Sequence, residues 1–143
     1  MEESFQRSDV PVILLIENDE SDVFLFRRAL YHAGWKGNVH VVGSATEARA
    51  YLENSHPFTD THYYPRPDLI VSDFRLTGHT ALEFVDWMRV QSAFAKIPIV
   101  MISGLASGLD PEKLARINPK GVIIKTGDVP KLAEALKPLL PSA

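Results

Sequence analysis

Five short runs of Val, Ile and Leu recur along the chain with longer amphipathic segments between them. They are "VPVILLIE" (10–17), "NVHVV" (38–42), "DLIVSD" (68–73), "IPIVMIS" (97–103) and "GVIIK" (121–125). Runs that are apolar throughout, rather than alternating, read as strands buried on both faces, and such strands belong to parallel sheets covered by helical crossovers. The intervening segments supply those helices. Segment 21–35 sets Val23, Phe24, Phe26, Ala29 and Leu30 near helical spacing and stops at Gly34, a residue type suited to a helix C-terminus. "SATE" (44–47) has the form of a capping box and opens a second helix running to about Asn54. Segment 79–94 repeats Leu82, Val85, Met88 and Val90 against polar neighbours, Asp110 precedes Pro111 as cap and first helical residue, and Asp128 caps the last helix. The Pro-rich and aromatic-rich stretch 56–67 is expected to be an extended loop before the third strand.

Five repeats of strand then helix imply an α/β fold: an open, doubly wound five-stranded parallel sheet with right-handed crossovers and helices on both faces. The 143 residues fit a single domain over 1–143 with its core at about 10–140. Without cysteine there is no disulfide framework, thiolate metal site or cysteine nucleophile, which leaves oxygen, nitrogen or a bound ion to carry any chemistry. Lys and Arg are dispersed and the net charge is -3, so the chain carries no electrostatic footprint for nucleic acid. No apolar run approaches the roughly 20 residues of a membrane span, and "MEESFQRSD" is unlike a signal peptide. A cytoplasmic protein without membrane contact is expected.

Ligands of such sheets bind beyond the carboxyl ends of the strands. The run ends bring Glu17 with Asn18 and Asp19, then Asp73, Ser103 and Lys125, to one edge. Carboxylates on neighbouring strands suit a hard divalent cation such as Mg2+, while a lysine and a hydroxyl facing the same point suit phosphoryl oxygens. The constellation reads as an aspartate that accepts a phosphoryl group.

In "ILLIEND", "PDLIVSDFRL", "IPIVMISG" and "GVIIK" the chain resembles the receiver domains of two-component response regulators, over about residues 10 to 140. The resemblance implies the flavodoxin-like (βα)5 receiver fold. It also implies a phosphoacceptor Asp73, a switch hydroxyl on Ser103, a phosphoryl-binding Lys125, and Mg2+ held by Glu17, Asn18, Asp73 and the backbone carbonyl of Arg75. A chain of this family is a signalling phosphoacceptor rather than an enzyme: it takes its phosphoryl group from a histidine kinase or phosphotransfer protein and loses it by slow hydrolysis. Its downstream target is a protein that meets the face of helix four, strand five and helix five, and pairing with a second copy is compatible with the resemblance.

Several positions depart from the family pattern. Asn18 stands where a second acid is usual, which is expected to weaken Mg2+ binding, and Asp19 is a poor substitute because it begins the following loop. Thr77 and Gly78 replace the usual proline four residues past the acceptor, Thr126 replaces the proline after the lysine, Val122 replaces the switch aromatic, and Gly104 follows Ser103. These departures keep open a pseudo-receiver adaptor that works without phosphorylation. A nucleotide or flavin binder would need a Gly-rich or Ser/Thr-rich phosphate loop where "ENDESD" stands, and a dehalogenase-type phosphatase would need Asp-x-Asp there. Glu20 and Asp22 read as ordinary charges at a helix N-terminus, Trp35, Trp87 and the helix-one Phe residues as packing, Tyr63 and Tyr64 as loop surface, and His56, His62 and Asp60 as too weak a spacing for zinc.

Overall fold

The computed structural model describes residues 10–75, 80–104 and 110–142; Thr77, Gly78 and His79 lie outside them. The elements are β1 (Val12–Ile16), α1 (Glu20–His32), β2 (Asn38–Val42), α2 (Ala45–Glu53), β3 (Leu69–Asp73), α3 (Ala81–Arg89), β4 (Ile99–Ser103), α4 (Pro111–Ile117), β5 (Gly121–Ile124) and α5 (Val129–Leu136), followed by a short 3-10 turn at Lys137–Leu139. All five strands pair parallel in the order β2-β1-β3-β4-β5, so the chain reverses its direction of travel across the sheet between β1 and β3. No helix among the described residues is long and apolar enough to cross a membrane.

Strand alternation divides the core into two layers. Leu14, Ile16, Ile70, Ile99 and Met101 face α2, α3 and α4, where Tyr51, Phe84, Met88 and Ile117 are buried. Ile13, Leu15, Val71, Val100, Ile102 and Ile123 face α1 and α5, where Phe26, Leu30, Leu132 and Leu136 are buried. Each of these large side chains contributes roughly 1.5–3 kcal/mol on removal from water, which is why the central strands carry no polar side chain before their carboxyl ends except Ser72. Four of the strands are shorter than their apolar runs, and β2 matches its run, 38–42. At the start of β1, the Asp68 carboxylate takes the Val12 N–H at 2.8 Å.

The helices follow their punctuation with four corrections. Gly34 follows α1 with φ +75, the left-handed conformation that favours glycine, and Asp110 and Asp128 cap α4 and α5 ahead of Pro111 and Pro130. At α2, Ser44 Oγ takes the Glu47 N–H, but the Glu47 carboxylate reaches Gly43 N–H at 2.6 Å instead of closing the box on Ser44. The complete capping box lies at α3 between Thr80 and Glu83, which the hydrophobic pattern did not reveal. On α3 the inward stripe is Ala81, Phe84, Val85 and Met88, and Val90, at the helix end, is 78% exposed. On α1, Phe26 is core but Phe24 is 59% exposed beneath Arg28.

The loop from 55 to 67 is closed by Asn54, whose amide donates to the carbonyls of Phe58 and Tyr64, and by Tyr51, whose hydroxyl donates to Pro65. Tyr64 is therefore part of an aromatic cluster with Tyr51, Phe58 and Tyr63 rather than loop surface. His40 of β2 stands against Tyr51, Tyr63 and Tyr64, and its buried Nε2 has no hydrogen-bond partner among the described residues. Burial, with a smaller push from Arg27, lowers its pKa below the ordinary 6.5. A lowered histidine pKa means the unfolded chain binds the proton first, so stability is present above pH 6.5 and falls as pH drops through the folded value. Urea midpoints should accordingly fall on acidification below pH 6.5, and His40→Phe should flatten that slope; an unchanged slope in the variant would contradict this.

Candidate functional site

Register carries the strand ends to one place. Ile16 pairs with Ser72, Asp73 with Ile102, and Ser103 with Ile124, so the next residues along, Glu17 and Lys125, reach the same edge as Asp73 and Ser103. Glu17 and Asp73 flank the point where the sheet order reverses, the crevice where ligands of open α/β sheets bind.

The centre of the site is the Lys125 ammonium. Its Nζ lies 2.8 Å from Asp73 Oδ2, 3.0 Å from Glu17 Oε1 and 2.7 Å from Asp22 Oδ2. Burial alone would lower the lysine pKa, but the hydrogen bonds to Asp22, Asp73 and Glu17 outweigh it and hold the ammonium protonated well above the usual lysine range. Burial pushes the Glu17 carboxyl up from its ordinary 4.5; Lys125 and the Asp19 N–H, which donates to Glu17 Oε2, pull it back only part of the way, and the Asp73 charge adds to the rise. Backbone groups fix the remaining geometry. Asp73 Oδ1 accepts the Arg75 N–H at 2.9 Å, and the Lys125 N–H donates to the Ser103 carbonyl at 2.7 Å, joining the buried end of β4 to β5.

Asp22 is a correction to its reading as a plain helix-end charge. It does sit in the first turn of α1, but its carboxylate makes the shortest of the three contacts to Lys125. Its partner is 103 positions away, so no local pattern points to it. Asp19, by contrast, is committed as the α1 cap: its Oδ1 accepts the N–H groups of Ser21 and Asp22. Asn18 is exposed at the start of this turn. The cis peptide among the described residues is His56–Pro57, so Lys125–Thr126 is trans, and the Thr126 hydroxyl accepts the Asp128 N–H. Val122 and Ile124 are both partly exposed on β5.

The donor chemistry fits a magnesium ion. Among the described residues no three His, Cys, Asp or Glu side chains group as a metal cage, but Mg2+ ordinarily takes one or two carboxylates and keeps several waters. Glu17 and Asp73, both held by Lys125, supply two carboxylates, and the Asn18 amide and the Arg75 carbonyl are oxygen donors on the two flanking turns.

A doubly wound sheet with acids and a lysine at its switch point defines the class of open α/β domains whose ligand site lies beyond the strand ends. The family profile of the response regulator receiver domain matches residues 13–137. This chain belongs to that family, whose members are signalling phosphoacceptors of two-component systems. It is 24% identical over 131 residues to the polar-differentiation response regulator DivK of Brucella ovis, covering 92% of this chain and 97% of DivK. In fold it is similar to the phosphorylated cyanobacterial phytochrome response regulator RcpA, at TM-score 0.76 and 24% identity over 91% of each chain. The Mn2+-bound form of response regulator Rcp1 is also similar, at TM-score 0.74 and 19% identity, over 90% of this chain and 91% of Rcp1.

Proposed function

We infer that this chain accepts a phosphoryl group on Asp73 from a phosphohistidine of a histidine kinase or phosphotransfer protein and passes the modified state on by protein contact. The observation that carries this reading is the Lys125 ammonium 2.8 Å from the Asp73 carboxylate, with Glu17 on the neighbouring strand. An Asp73 oxygen attacks phosphorus as the P–N bond to the donor phosphohistidine, protonated on its other ring nitrogen, breaks, leaving an acyl phosphate on Asp73 and a neutral imidazole. Such a transfer needs positioning and charge neutralisation more than covalent help. Lys125 supplies one positive charge, and the Arg75 N–H orients the carboxylate. A bound Mg2+, held by Glu17, Asn18, Asp73 and the Arg75 carbonyl, would supply further neutralisation of the phosphoryl oxygens. Ser103, one position past the Ile102 partner of Asp73 at the end of β4, carries the hydroxyl that this reading assigns to the new group. The fold shared with a phosphorylated RcpA and an Mn2+-bound Rcp1 supports the same reading. Apolar Val122 and Ile124, exposed on β5, favour output through the face of α4, β5 and α5.

The second reading is a phosphorylation-independent adaptor, favoured by the amide at Asn18 and by Val122 in place of a switch aromatic. Fluorine NMR with beryllofluoride and magnesium separates the two. The phosphoacceptor reading expects a bound resonance that is lost in Asp73→Asn; no bound resonance in the unsubstituted chain favours the adaptor.

A further inference from the structure

A lysine ammonium has three N–H donors and no acceptor, and around Lys125 three carboxylates already face them. For Lys125 to bond a phosphoryl oxygen on Asp73, an existing contact must be given up. Exposure ranks the candidates: the side chains of Glu17, Asp73 and Asp22 are 4%, 15% and 29% exposed. A buried carboxylate that loses its partner bears the full cost of desolvation, whereas an open one is taken up by water. Asp22 is the most open of the three, and it sits on the first turn of a helix whose N-terminus favours a free carboxylate.

We propose that Asp22 is a positioning residue which holds the Lys125 ammonium in the unmodified protein and releases it to the phosphoryl group, thereby setting how tightly the strand-end site retains that group. This rests on the phosphoacceptor reading above. Asp22 competes with the phosphoryl group for one cation, so it favours the unmodified state. Its release also unties the first turn of α1 from the end of β5.

The test is beryllofluoride affinity at saturating magnesium. Asp22→Asn should bind about three- to tenfold tighter, a coupling of the size found between directly contacting residues, and Asp22→Glu should bind like the unsubstituted chain. In a Lys125→Met background the Asp22→Asn gain should vanish. Equal or weaker binding by Asp22→Asn overturns the proposal, as does a gain that persists without the lysine, since that would be the removal of a nearby charge and nothing more. If the unsubstituted chain binds no beryllofluoride, the phosphoacceptor reading fails. In that case, or if Lys125→Met binds none, the 15N signal of the Lys125 ammonium in the free protein decides the matter: Asp22→Asn moves it if Asp22 holds the lysine, and an unmoved signal overturns the proposal.

Discussion

Lys125→Met is expected to lower folding stability by about 2–4 kcal/mol at pH 7.5, below the top of the range for breaking a buried pair because the lysine is partly open to water. The loss comes less from the bonds removed than from what they leave behind. Glu17 is nearly fully buried, and with Asp73 and Asp22 it would form three carboxylates converging on a point with no cation. The pH dependence identifies the cause. A carboxyl whose folded pKa is raised contributes stability that is complete below its unfolded value, here 4.5, and is lost as pH rises through the folded value. Burial already raises Glu17, and Lys125 is its chief restraint, so removing the lysine raises it further and widens the window of loss. Urea unfolding should therefore show a small deficit at pH 5 and a large one at pH 7.5. The same deficit at both would mean that Lys125 contributes through the packing of its stem and not through charge.

Asn18→Asp should raise magnesium affinity by about ten- to a hundredfold. A second charge at about 4 Å from a cation is worth roughly 4 kcal/mol at an effective dielectric near 20 before hydration offsets most of it, and tenfold in affinity needs only about 1.4 kcal/mol. Asp19 does not fill the gap, because its carboxylate is occupied by the Ser21 and Asp22 N–H groups. Without magnesium the same substitution adds a charge next in sequence to the buried Glu17 and should lower stability by about 1 kcal/mol. The two effects have opposite signs, so isothermal titration and urea unfolding in chelator together test the account. Unchanged magnesium affinity would mean that position 18 lies outside the cation's reach.

The sheet was readable because strands buried on both faces write themselves as unbroken apolar runs, and Val12–Ile16 or Ile99–Ser103 could be little else. The start of β1 was not, because there Asp68 takes the Val12 N–H, a contact across 56 positions. The α3 stripe misled at Val90, since helical spacing selects positions without knowing where the helix ends. At the site, the positions of Glu17, Asp73, Ser103 and Lys125 were legible because each ends a strand or directly follows one, and the sheet order aligns the ends. Asp22 was not, because an acid in a first helical turn looks the same whether it faces water or a lysine from the far end of the chain.

Intact-mass spectrometry after incubation with acetyl phosphate or phosphoramidate, with and without magnesium, decides whether Asp73 accepts a phosphoryl group. A phosphoacceptor Asp73 gives one added phosphoryl mass that requires magnesium and is missing in Asp73→Asn. No added mass under any of these conditions, or an adduct that persists in Asp73→Asn, would contradict it.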